Sequence, residues 1–137
     1  MIANLSGTPS RLCQKAIGTS NTTLYTAQPD GRTCILDIMV VNTTSSSVNL
    51  TMYIGSASTA NAFGWYNSAI PAYSSVQYNG YQMLNINESL IAVGSAAGLS
   101  TTISGIERVW GFLSTLLDLL VGKVFYTVRF LIRHLKT

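Results

Sequence analysis

Side chains that carry chemistry are scarce in this sequence, which has one histidine, two cysteines, five acidic and eight basic residues among 137. Charged residues make up 9% of the chain against about 25% in ordinary soluble domains, while the hydrophobic share of 47% is ordinary. A catalytic centre needs titratable groups that converge. Here Asp30, Asp37, Glu88, Glu107 and Asp118 stand apart from one another, and His134 falls in a basic terminal stretch where a solvated role is expected. Gly-rich phosphate loops, zinc-type Cys/His spacings and calcium loops are all missing from the sequence. The expectation is a protein that is not an enzyme and takes no metal or nucleotide cofactor.

Cys13 and Cys34 lie in apolar runs, where a free thiol packs as a small hydrophobe, so no structural disulfide is expected. The first residues have no basic stretch followed by an apolar one, and the expectation is folding in a cytoplasm. The Asn-X-Ser/Thr triplets at Asn4, Asn21, Asn42, Asn49 and Asn87 then read as by-products of composition rather than glycosylation sites. With little charge, the surface must be built from Ser, Thr, Asn and Gln. Such surfaces repel their neighbours weakly and suit a subunit packed in an assembly.

What the chain has instead is β-forming sequence. From residue 12 to 106, short β-prone segments alternate with turn residues at the spacing of a sandwich or barrel. "TLYTA" (23–27) runs into the turn "QPDG" (28–31), and "RTCILDIMVVN" (32–42) places Cys34, Leu36, Ile38 and Val40 on one face. "TTSSS" (43–47) reads as a hairpin loop returning into "VNLTMYIG" (48–55), with Val48, Leu50, Met52 and Ile54 inward. Further strands are expected in "VQYNGYQML" (76–84), interrupted by an Asn-Gly turn, in "SLIAVGS" (89–95) and in "LSTTISGIE" (99–107). The expected fold is mainly β, an antiparallel β-sandwich of about seven or eight strands over residues 1–106, with residues 1–11 as an N-terminal arm.

The composition switches at residues 105–107. Residues 1–106 are neutral, so the whole net charge of +3 belongs to 107–137. On a helical wheel, Glu107, Arg108, Gly111, Thr115, Asp118, Gly122, Tyr126, Arg129, Arg133 and Lys136 form one polar stripe. The expectation is one long C-terminal amphipathic α-helix over 107–137. As a membrane span, residues 109–128 gain about 5 kcal/mol from eleven Leu, Phe and Val residues, and Asp118 and Lys123 cancel this at about 3 kcal/mol each. A helix covered by protein is favoured, docking or oligomerising through Trp110, Leu113, Leu117, Leu120, Val124, Leu131 and Leu135, whose partial seven-residue spacing suits a trimeric bundle. Arg129, Arg133 and Lys136 are candidates for contact with nucleic acid or another anion.

Tyr53, Tyr66, Tyr73, Tyr78 and Tyr81 cluster beside Trp65. Trp65 and Tyr66 are the candidate contacts for a glycan or a partner, since loop aromatics stack on sugar rings and also anchor interfaces.

The run "TLYTAQPDGRTCILDIMVVNTTSSSVNLTMYIGS", followed by "SLIAVGSAAGLSTTISGIE", resembles the small β-sandwich domains of tailed-bacteriophage structural proteins. The resemblance spans about residues 18–107. It implies a virion component assembled in the host cytoplasm, oligomeric and often trimeric. Such a subunit decorates or cements a capsid by packing on itself and on the major capsid protein. A tail or fibre component contacting host glycans is the alternative within the family, and a membrane-associated protein inserting residues 109–128 is the alternative outside it. The helix after "SGIE" departs from the family pattern.

Overall fold

A computed structural model describes residues 8–29, residues 31–109 and Leu120, with the backbone alone for Arg108 and Val109. The chain forms eight strands: β1 (Ser10–Ile17), β2 (Thr22–Thr26), β3 (Gly31–Asn42), β4 (Val48–Ile54), β5 (Ser68–Ile70), β6 (Ser75–Leu84), β7 (Ser89–Gly94) and β8 (Leu99–Val109). They make two four-stranded sheets, sheet A in the order β1-β8-β3-β6 and sheet B in the order β2-β7-β4-β5, and every pairing is antiparallel.

The pairings nest: β1 lies on β8, β2 on β7, β3 on β6 and β4 on β5. The first half of the chain is thus zipped to the second half as one long antiparallel ribbon. Winding that ribbon brings β3 against β8 and β4 against β7, which completes both sheets. Eight strands in two Greek-key sheets wound in this way are a jelly roll. Between the sheets lies a core that includes Ile17, Ile35, Ile38, Val40, Leu50, Met52, Leu84, Leu90 and Ile103, all essentially inaccessible to solvent.

Four local expectations are corrected. The "TTSSS" loop is not a hairpin, because β3 belongs to sheet A and β4 to sheet B, and residues 43–47 carry the chain across the sandwich. The β7–β8 link "SAAG" crosses in the same way. Second, β3 does not keep one face throughout. Thr33 and Ile35 are buried, a bulge at Leu36 interrupts the register to both neighbours, and beyond it Ile38, Val40 and Asn42 are buried. One extra residue reverses a period of two, so Cys34 points away from the core that it was expected to enter. Third, Asn79-Gly80 is no turn: β6 runs through it, and the two residues Gly80 and Tyr81 face that same bulge. Fourth, β1 begins at Ser10, inside the expected arm.

The fold class is corrected as well. The described fold is all-β, and its last strand runs past the point where a long amphipathic helix was expected to start. Glu107, Arg108 and Val109 pair with Thr33, Arg32 and Gly31 in the β3–β8 ladder. Three further ladder positions to an existing strand outweigh the wheel pattern, because a helix starting there would leave the first residues of β3 unpaired on that side. Among the described residues no α-helix is present in 8–109, and Leu120 alone is α-helical. The rest of the expected helix, including all of the span 109–128 but Val109, lies outside them apart from Leu120, whose side chain is exposed.

Candidate functional site

Residues facing each other across antiparallel strands share a face, so the registers define what each sheet shows to solvent. Sheet B is free of charge: β2, β4, β5 and β7 contain no Asp, Glu, Lys or Arg. Its outer surface carries the row Thr23, Ile91, Tyr53 across three strands, with Val93 beside Thr51 in the next row. Ile91, Tyr53 and Val93 are half-buried side chains. Three neighbouring polar residues are bonded in a chain, for Asn49 Nδ2 donates to Asn67 Oδ1 at 2.9 Å and the Asn67 N–H donates to Thr51 Oγ1 at 2.9 Å. Covering this face desolvates no charge, which keeps its cost low.

The outer face of sheet A carries charge, for the exposed Arg32 shares it with Cys34 on β3 and the exposed Arg11 of β1 lies in line with Ser104 and Asp37. Met83, Cys34 and Ile106 lie side by side across β6, β3 and β8, and Met39 is exposed further along β3. Asp37, the carboxylate in the middle of the face, accepts a hydrogen bond from Gln77 Nε2 at 2.6 Å. The apolar row exists because the Leu36 bulge turned Cys34 outward, a reversal that strict alternation in the sequence hides.

The two flanks of the sandwich are closed differently. On one, Phe63 packs edge-on against Tyr78 of β6 with ring centroids 5.1 Å apart, and Trp65 also packs against the core. The segment carrying them hydrogen-bonds to β4, Phe63 N–H to the Met52 carbonyl and Met52 N–H to the Trp65 carbonyl, both at 2.9 Å. On the other flank, Lys15 Nζ donates to the Thr23 carbonyl at 3.0 Å, joining β1 to β2. The Tyr25 hydroxyl also reaches from β2 to sheet A, where it donates to the Glu107 carboxylate and lies 3.0 Å from Thr33 Oγ1.

Burial, and then donation to Glu107, pushes the Tyr25 hydroxyl up to about 12, while the contact with Thr33 pulls the other way. A folded value above the unfolded one makes the contribution complete below about pH 10 and progressively lost towards about pH 12. Tyr25→Phe is therefore expected to unfold with a shallower dependence on pH than the native chain over that window. Urea midpoints measured at each pH, with tyrosinate absorbance as a second signal, check this.

Both cysteines are free. Cys13 pairs with the buried Ile103 and Cys34 with the outward Ile106, so the two thiols belong to opposite faces of sheet A. Burial raises both thiols above their ordinary value, with Lys15 opposing the shift at Cys13. Among the described residues, no three His, Cys, Asp or Glu side chains come together in a way that could hold a metal ion.

Trp65 and Tyr66, paired in the sequence reading, are separated by the fold. Trp65 is half-buried against the core, whereas Tyr66 is exposed. Trp110, Leu113, Leu117, Val124, Leu131 and Leu135, together with Arg129, Arg133 and Lys136, lie outside the described residues. No helix among the described residues is long and apolar enough to cross a membrane. Sequence reasoning missed the neutral face of sheet B as a unit, though the absence of charge from its four strand segments was visible in it.

No family model matches the sequence, and no curated protein matches it. A solved structure described under "Bacillus endospore appendages form a novel family of disulfide-linked pili" is similar at 13% identity and a TM-score of 0.47, over 74% of this chain and 87% of that one. That neighbour is a β-rich appendage protein, and at this distance the likeness assigns no role. The comparisons lend no support to the tailed-bacteriophage resemblance of residues 18–107.

Proposed function

We propose that the protein is a non-enzymatic structural subunit that works by packing against copies of itself through the neutral face of sheet B. The observation that carries this reading is sheet B, four strands without one charged residue, on whose outer side Asn49, Asn67 and Thr51 are bonded to one another. A free monomer gains solubility from charge, and this face forgoes it. Buried between subunits, Ile91, Val93 and Tyr53 supply an apolar centre with no charge to desolvate.

In its finer form the reading makes the chain a coat or decoration subunit of a virion. Viral capsid domains use the jelly-roll wrap, and so do lectins, so support for that form is an analogy of fold. Immunogold labelling of purified particles tests it: label on the particle surface supports the finer form, and label confined to other material removes it.

The general reading is tested at Val93. Val93→Lys places a cation at the centre of the neutral face, on a side chain that is already partly solvated. Its cost to the fold is expected to stay within about 1 kcal/mol, while multi-angle light scattering shows the assembly dissociating at least tenfold more readily. An unchanged mass distribution with an unchanged melting temperature would remove sheet B as the contact face.

A further inference from the structure

A sandwich with two open sheets has four edge strands, each a row of backbone donors and acceptors that can template a further strand. Three of the four edges here are blunted. β1 carries Arg11 and Lys15 and a register shift between Arg11 and Cys13. β2 has its Thr23 carbonyl occupied by Lys15 Nζ. β5 is three residues long and runs into Pro71.

β6 is different. It is ten residues long, without charge or proline, and pairs with β3 on one side. Its half from Ser75 to Asn79 is in regular register with Val41 to Asp37, ahead of the bulge. Among the described residues no other backbone group is bonded to the main chain of 75–79. Ser75, Gln77 and Asn79 are exposed side chains that alternate with the half-buried Val76 and Tyr78. Polar, uncharged and regularly spaced, this stretch has none of the devices that keep an edge from pairing.

We propose that residues 75–79 of β6 pair antiparallel with the same residues of a second copy, about a two-fold axis at Gln77, joining two A sheets into one continuous eight-stranded sheet. The inference rests on the self-assembly reading and names one of its contacts. The segment is its own complement: neutrality on one copy meets neutrality on the other, and Ser75 of each copy stands opposite Asn79 of its partner, so neither meets a like charge. Main-chain hydrogen bonds supply the affinity, and the exposed amides align across the junction.

Two measurements on the intact chain test the proposal. In hydrogen exchange, the amides of 75–79 that face away from β3 are expected to be protected at high protein concentration and to exchange at least tenfold faster on dilution. Protection that does not change with concentration would mean that a segment of the same chain covers the edge, and it would overturn the proposal. In the second measurement, a Ser75→Lys/Asn79→Lys variant sets lysine opposite lysine twice, and a Ser75→Asp/Asn79→Asp variant does the same with carboxylates. Each alone is expected to lose the contact, and an equimolar mixture is expected to regain it as a mixed pair, read by native mass spectrometry. Failure of the mixture to pair, with both variants folded by circular dichroism, would also overturn it. If the native chain still forms oligomers while these amides exchange freely, the edge contact is wrong and the assembly reading stands. A native chain that is monomeric throughout removes both.

Discussion

Asn42→Ala is expected to lower stability by about 3–5 kcal/mol in urea denaturation, a large share of the roughly 5–15 kcal/mol that holds a small domain together. Asn42 closes β3 with its side chain fully buried, at 0% exposure. Its Nδ2 donates to the carbonyls of Ser46, Ile70 and Pro71 at 2.8, 2.9 and 3.2 Å, and its Oδ1 accepts from Thr44 N–H and Thr44 Oγ1 at 3.0 and 2.7 Å. One amide thus ties together the end of sheet A, the crossing at residues 43–47 and the exit of β5 from sheet B. Alanine removes all five hydrogen bonds at about 0.5–1.5 kcal/mol each; the Ser46, Ile70 and Pro71 carbonyls keep donors in Thr44 Oγ1, Ser47 Oγ and Ser74 N–H, whereas Thr44 N–H loses its acceptor. Asn42→Asp is the sharper variant, since it keeps the shape and replaces the donor with an oxygen facing three carbonyl oxygens. Burial among acceptors raises that carboxyl's pKa in the folded state, so its stability falls as pH rises through the carboxylate range. The Asp variant is expected to be less stable than the Ala variant at neutral pH and to recover part of the difference at about pH 4.

Gly105→Ala is expected to cost about 3 kcal/mol or more, or to prevent folding, for a reason unrelated to backbone freedom. A Cβ at residue 105 would overlap the carbonyl oxygen of Cys34 and would come within 2.9 Å of Leu12 Cδ1. The Cys34 carbonyl belongs to the β3 main chain beside the Leu36 bulge, where Gly105 pairs with Ile35. Backbone in the centre of a sheet cannot swing away as a side chain can. Gly64→Ala is a useful contrast: its added Cβ meets nothing within 4 Å, and its φ of +72° leaves only the strain of a left-handed conformation, about 1 kcal/mol. Thermal melts of the two variants separate a steric effect in the sheet from a conformational one in a loop.

How much of this was legible depended on whether the signal was local. β2, β4, β7 and β8 stood out because alternation, β-branched residues and turn residues coincided, and Val48, Leu50 and Met52 face the core as their period requires. The wrap was hidden, because a polar loop of five residues serves equally for a hairpin within one sheet and for a crossing between two. The Leu36 bulge was hidden too, since neither Leu36 nor its neighbours are residues that mark one. Missing the bulge exchanged the faces of β3 and concealed the Met83–Cys34–Ile106 row. At the far end of β8, the change of composition at 105–107 was read as a change of structure. The strand continues there because the first residues of β3 need a partner. Of the candidate site, the scarcity of charge was plain in the composition, but its concentration into one whole sheet became visible only with the strand order.

The central claim, that this chain works as a self-packing structural subunit, is tested most directly by sedimentation of the intact protein over a wide concentration range. The account predicts a discrete species whose mass is a multiple of 14.7 kDa and which populates further as concentration rises. A single species of 14.7 kDa at every concentration would contradict it.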